Sequence, residues 1–196
     1  MNIHLLDDDV MILDAARFLL EQAGYKVKTW SNSQQFLQEV NIFEPGILLL
    51  DMKMPHLDGK AVHQFLQQQN SPFAVIIMTG HGDIEMAVQQ LKLGAVDFLQ
   101  KPMQFNQLQS AIKIASKKTA DNYELYKIQK CYEQLSSKEL EVLYLLLKGY
   151  INREIAEALN ISIRTVEVHR SHIMEKMQAQ TVVELIYKTM RIKKGE

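Results

Sequence analysis

The run Gly46-Ile47-Leu48-Leu49-Leu50 is apolar throughout and stops at Asp51. It is far shorter than the roughly 20 residues that a membrane span needs. It also lacks any polar alternation, which suits a β-strand covered on both faces. Runs of the same kind stand on either side of it, at Ile3 to Leu6, Tyr25 to Trp30, Phe73 to Met78 and Ala95 to Leu99. Between them the apolar spacing becomes helical: Ile12, Ala16, Leu19, Leu20 and Ala23; Phe36, Leu37 and Val40; Val62, Phe65 and Leu66; Ile84, Ala87, Val88 and Leu91. Phe105, Leu108, Ile112 and Ala115 close the series. Five strands alternating with five helices predict a doubly wound α/β domain with a parallel sheet. In such a domain function gathers at the carboxyl ends of the strands.

Those ends carry chemistry. The first strand ends in Asp7-Asp8-Asp9, the third in Asp51 and the fourth in Thr79, and Lys101-Pro102 follows the fifth. Carboxylates brought this close repel unless a cation shares them, and a hard site made only of oxygen selects Mg²⁺, which takes few carboxylates together with phosphate oxygen. No base triad, paired histidine ligands or phosphate-cradling glycine loop accompanies them. A carboxylate nucleophile, Mg²⁺ and a cation to neutralise a phosphoryl oxygen are what transfer of phosphate to an aspartate requires. Asp9 is expected to cap the helix that begins at Val10. His56, His63 and His81 lack shared ligand spacing, so loops or helix faces are their expected places. Gly80 and Gly82 flank His81 and leave that loop conformationally free.

The net charge of −1, from 22 basic and 23 acidic side chains, speaks against a nucleic-acid binder until the chain is divided. Residues 1–116 carry 8 basic and 12 acidic side chains, whereas residues 117–196 carry 14 and 11. All four prolines and six of the eight glycines lie at or before Pro102, so composition shifts near the same place. The expected organisation is an α/β domain over 1–116, a partly helical linker over 117–133 and a smaller all-α domain over 134–196. The apolar stripe of the fifth helix lapses across Ser116 to Asn122, which predicts a semi-rigid connector with a hinge in its polar middle. The single Cys131 excludes an internal disulfide, and the absence of a signal peptide at Met1-Asn2-Ile3-His4 leads us to expect a soluble cytoplasmic protein.

From Leu135 onward every pattern is helical. Ser136 or Ser137 with Glu139 forms a capping-box-like start, and Leu140, Val142, Leu143, Leu146 and Leu147 follow before Gly149. Asn152 starts a second helix with Ile155, Ala156 and Leu159, Ser162 a third that runs to about Met177, and Thr181 a fourth. The second and third, joined by a tight turn, predict a helix-turn-helix. On a helical wheel the third helix turns Val166, Ile173 and Met177 inward and Arg164, Val168, Ser171 and Glu175 outward, flanked by Glu167 and His172. Val168 in the middle of a solvent face has no core to fill, but it could meet a thymine methyl in a major groove. Arg164 and Arg170 could reach phosphates or guanine edges, and Glu167 could accept from cytosine. A surplus of three positive charges implies weak DNA binding by one copy and stronger binding by two.

The blocks LLDDDV, LLLDMKMPHLDG, MTGHGD and GAVDFLQKP resemble, in order, those of the receiver domain of two-component response regulators. The segment LSSKELEVLYLLLKGYINREIAEALNISIRTVEVHRSHIMEKM resembles the LuxR-type helix-turn-helix, and the two together resemble the NarL/FixJ class. IHLLDDD, NREIAEA and RTVEVHR narrow the likeness to regulators of tetrathionate respiration. The resemblance implies a flavodoxin-like receiver in which Asp51 accepts phosphate from a histidine kinase. Asp7, Asp8, Asp51 and the backbone carbonyl of Lys53 would hold Mg²⁺, while Thr79 and Lys101 would meet the phosphoryl group. By the same likeness Pro102 would follow a cis peptide, and Thr79 and Phe98 would form the switch. Phosphorylation would favour a homodimer that binds double-stranded promoter DNA through Arg164, Thr165, Glu167, Val168, Arg170, Ser171 and His172, with RNA polymerase as a further partner. Glu167 and Ser171 stand where many relatives carry lysines, so no operator sequence is carried over. Two other readings compete: a receiver coupled to a protein-interaction module, and a metal-dependent phosphatase with an aspartyl intermediate. Lys53, two positions after Asp51, is poorly suited to be the acid that the phosphatase needs.

Overall fold

In a computed structural model the strands Asn2–Leu6 (β1), Lys26–Trp30 (β2), Gly46–Asp51 (β3), Ala74–Thr79 (β4) and Asp97–Gln100 (β5) pair in one parallel sheet, in the order β2-β1-β3-β4-β5. The structure describes residues 2–80 and 84–193, without the side chains of Ile84 and Lys193. His81 and Gly82, singled out in the sequence, lie outside the described residues. The helices of the sheet region are Val10–Gln22 (α1), Ser33–Glu39 (α2), Gly59–Gln68 (α3), Ile84–Lys92 (α4) and Phe105–Tyr132 (α5). Among the described residues no helix is long and apolar enough to cross a membrane.

The two-sided core explains the missing alternation. Ile47 and Leu49 of β3 join Leu13, Leu20, Leu108 and Ile112 of α1 and α5 on one face. Leu48 and Leu50 join Phe36, Val62, Leu66 and Ala87 of α2, α3 and α4 on the other. All four β3 side chains are fully buried, and each contributes roughly 1.5–3 kcal/mol of hydrophobic stabilisation. Helix starts follow local chemistry: Asp9 caps α1 by accepting from Met11 N at 2.9 Å, as expected, and Asn32 and Asp58 cap α2 and α3.

The chain divides into two units, Met1–Glu124 and Leu125–Glu196, and the division falls inside α5. The expected helical connector is unbroken helix through Ser116 to Asn122. The buried stripe does not lapse there. Leu108, Ala111, Ile112 and Ala115 are followed by Thr119, which is 1% exposed. Its hydroxyl donates to Pro72 O at 2.8 Å and accepts from Gly46 N at 3.1 Å, so a polar side chain takes the place of an apolar one with its bonds satisfied.

The second unit contains Ser137–Leu147 (α6), Asn152–Leu159 (α7), Ile163–Lys176 (α8) and Val182–Lys193 (α9). Its core combines Val142, Leu143 and Leu146 of α6, Ile155 of α7, Val166 and Ile173 of α8 and Leu185 of α9. Asn160 closes α7 at φ 52°, in the left-handed region that asparagine tolerates, and Ser162 then caps α8 through Thr165 N at 3.0 Å.

Candidate functional site

Strand register assembles the acidic pocket. Leu6 pairs with Leu50, Asp51 with Met78 and Thr79 with Gln100, so Asp7, Asp51, Thr79 and Lys101 emerge at one end of the sheet. Carboxylate oxygens of Asp7, Asp8 and Asp51 lie within 4.8 Å of one another. Asp7 is 0% and Asp51 5% exposed, and Asp8 is exposed. Lys101 Nζ lies 2.5 Å from Asp7 Oδ2 and 3.0 Å from Asp51 Oδ1, and the Lys101–Pro102 peptide is cis. Asp7 Oδ1 accepts from Asp9 N at 3.0 Å, so the expected cap and the buried carboxylate are tied together.

One ammonium pairs with the two buried carboxylates of a cluster of three. Burial pushes the Asp51 carboxyl up and the charge of Asp7 pushes it further, against the pull of Lys101 and of the Lys53 backbone N–H. Burial works against the Lys101 ammonium, but Asp7 and Asp51 together outweigh it and raise its pKa. An excess of anionic oxygen in a buried cluster is the donor set that a hard divalent cation takes. Thr79, 1% exposed, has a hydroxyl without a hydrogen-bond partner among the described residues. Lys53 is exposed, and Phe98 is half-buried against the core cluster beneath α4.

Gly59 is a positional requirement that sequence reading passed over. A Cβ there would lie 2.2 Å from the carbonyl oxygen of Asp51 and 2.9 Å from Met52 Cα, so only glycine lets α3 start against the end of β3. His63 is buried in α3, with Nδ1 2.7 Å from Gln90 Oε1 of α4, and burial lowers its pKa. His4 is likewise buried: it accepts from Trp30 Nε1 at 3.1 Å, and burial, aided by Lys28, lowers its pKa to about 4.

The helix-turn-helix presents the second candidate surface. Val166 and Ile173 of α8 are 0% exposed, whereas Arg164, Glu167, Val168, Ser171, His172 and Glu175 face solvent. Arg164 and Glu167 approach at 3.5 Å. The half-buried Thr165 hydroxyl shares a 2.8 Å hydrogen bond with Ser162. Arg170 is also half-buried and donates to Asn152 Oδ1 on α7. Of the seven residues singled out for DNA, five are thus exposed and two are engaged within the protein. His172 Nδ1 lies 3.8 Å from Glu139 Oε1.

Glu139 has a larger part than its capping pattern suggests. It is 3% exposed, accepts from Ser136 N at 2.7 Å and meets Lys176 Nζ of α8 at 2.7 Å. Burial would raise its pKa, but Lys176 and the backbone and hydroxyl of Ser136 outweigh that and hold it at about 2. The capping box was legible at three-residue spacing, while the link to Lys176, 37 positions away, was not.

Residues 3–113 match the response regulator receiver domain, and residues 133–189 match the bacterial regulatory proteins of the luxR family. The chain belongs to the response regulators, in the class that joins a receiver to a LuxR-type DNA-binding domain. The tetrathionate response regulatory protein TtrR of Salmonella typhimurium is 51% identical over 185 residues, covering 94% of this chain and 90% of that protein. The transcriptional regulatory protein FixJ of Bradyrhizobium diazoefficiens is 39% identical over 194 residues, covering 97% and 95%. The solved structure of the response regulator StyR has a TM-score of 0.69 and 30% identity, covering 97% of this chain and 98% of that one.

Proposed function

We propose that Asp51 accepts a phosphoryl group from a partner histidine kinase, and that the modified receiver favours a dimer that binds promoter DNA and controls genes for tetrathionate respiration. The tetrathionate reading is supported by the 51% identity to TtrR across most of both chains. The observation that carries the chemistry is the Lys101 ammonium shared by two carboxylates at the end of the sheet where the buried Thr79 hydroxyl also emerges, without a partner among the described residues. An Asp51 carboxylate oxygen forms the bond to phosphorus as the phosphorus–nitrogen bond of the donor breaks, and the electron pair returns to the imidazole. Asp7, Asp8, Asp51 and the Lys53 carbonyl would hold Mg²⁺, which supplies charge stabilisation for the transferring group.

Lys101 then moves its ammonium to a phosphoryl oxygen, and Thr79 donates its hydroxyl to another. Movement of Thr79 frees space for Phe98 to turn inward, altering the surface of α4 and β5 on which a second copy docks. Dimerisation pairs two α8 helices across adjacent major grooves, where Arg164, Thr165, Glu167, Val168, Arg170, Ser171 and His172 contact DNA. RNA polymerase is a further partner of the bound dimer. The test is labelling by radioactive acetyl phosphate with Mg²⁺: the wild type should take label and Asp51→Asn should not. Undiminished labelling of that variant would remove Asp51 from its role.

A further inference from the structure

The arginines of this chain are held in different ways. Arg17, Arg153 and Arg164 each pair with a carboxylate three or four positions along the same helix, and Arg191 lies over the Tyr187 ring. Arg170 instead bonds the side-chain oxygen of Asn152, the first residue of α7, 18 positions earlier. Among the described residues no carboxylate pairs with it. A guanidinium has five N–H donors. A carboxylate in the place of Asn152 would engage two of them and cancel the charge, whereas a neutral amide orients the group and leaves the charge and its other donors available.

Position decides what such a group can meet. Arg170 follows the fully buried Val166 by one helical turn and lies on the flank of α8 that faces α7, whereas the exposed Val168 marks the opposite side. In a helix-turn-helix the second helix reads bases with its outward face, while the first crosses the phosphate backbone. A half-buried cation at the start of that first helix therefore lies beside the backbone and away from the groove floor. Freezing a free arginine on binding costs rotamer entropy, and Asn152 has already restricted this one.

We infer that Asn152 is a positioning residue that holds Arg170 as a clamp for a DNA phosphate at the start of α7, so that Arg170 supplies affinity and takes no part in sequence choice. This rests on the proposed entry of α8 into the major groove, and it reassigns Arg170 from base edges to the backbone.

The test uses the full chain, phosphorylated, with two duplexes: one selected by the wild type from random-sequence DNA and a scrambled one of the same composition. Asn152→Asp substitutes an acid of the same shape that pairs with Arg170, so a purely structural role predicts unchanged or higher thermal stability and unchanged DNA binding. The clamp predicts unchanged or higher stability with affinity for both duplexes reduced on the order of tenfold, and a salt dependence shallower by about one ion per protomer. Arg170→Lys, which keeps the charge and loses the fork, should show a smaller uniform loss, and it replaces Asn152→Asp if that variant folds poorly. Wild-type affinity in Asn152→Asp overturns the clamp, as does a loss confined to the selected duplex, which would make Arg170 a reader of bases. If the wild type fails to prefer the selected duplex, the groove-reading assignment fails and the clamp is judged by the scrambled duplex alone.

Discussion

The ammonium of Lys101 lies 2.5 Å from Oδ2 of Asp7, a carboxylate with no exposed surface. Removing the cation from such a pair leaves a buried charge uncompensated, which typically costs about 3–5 kcal/mol. Lys101→Met should therefore unfold at clearly lower urea concentration than the wild type without divalent cation. Added Mg²⁺ should restore part of the difference, because the carboxylates regain a counter-charge. Equal midpoints for the two proteins without Mg²⁺ would show that the pair is not needed for stability.

Thr119 ties α5 to the sheet region beyond residue 116. Its hydroxyl serves Pro72 O and Gly46 N together, and Thr119→Val leaves both groups buried without that partner. We expect a loss of about 2 kcal/mol or more in denaturant unfolding of the receiver. A receiver truncated after residue 116 should show a comparable deficit beside one truncated after residue 124. Coincident unfolding curves for the two fragments would place the boundary where composition first suggested it.

Gly59 governs the geometry of Asp51 from the other side. With a Cβ 2.2 Å from the Asp51 carbonyl oxygen, Gly59→Ala must separate the start of α3 from the end of β3. Overpacking of this kind costs typically 1–3 kcal/mol, so stability should fall by about that amount. Labelling by acetyl phosphate should slow as well, since the nucleophile moves with its backbone. Normal labelling kinetics would show that the strand end absorbs the change.

Glu139 makes the helical unit acid-sensitive. Its carboxyl is held at about 2 against a usual value of 4.5, so the fold favours its ionised form. The stabilisation is complete above the usual value and is lost as pH falls toward 2. Glu139→Ala should lower stability at neutral pH by about 2 kcal/mol through loss of the cap and of the Lys176 pair. The difference from the wild type should shrink as pH falls from 5 to 2, as thermal melts of the helical unit would report.

Val168 and Arg164 carry the sequence choice in our reading. Replacing both by alanine should reduce the preference for selected over scrambled duplex while leaving the fold intact, since both side chains are exposed. An unchanged footprint would mean that the outward face of α8 does not meet the bases.

Periodicity alone was sufficient for the sheet, the order of its elements and the helix-turn-helix. Fully apolar runs such as Ile47 to Leu50 have only one low-energy setting, between two layers of helices. The charged strand ends were legible for the same reason, because Asp7, Asp51, Thr79 and Lys101 stand where buried backbone emerges. The burial of Thr119 within Ser116 to Asn122 was not legible, because a hydroxyl that bonds two backbone groups buries as readily as an apolar side chain, and its partners are 47 and 73 positions away.

The sequence by itself thus determined the class of fold, the charged strand ends and the direction in which α8 faces, since each of these follows from spacing along a single element. Tertiary structure alone decided which polar groups are shared. Lys101 bridges Asp7 and Asp51, Glu139 holds Lys176, and Asn152 holds Arg170. Hydrogen bonds and ion pairs act over about 3 Å in space. No periodicity along the chain records which distant residues the packing of the core will bring within that reach.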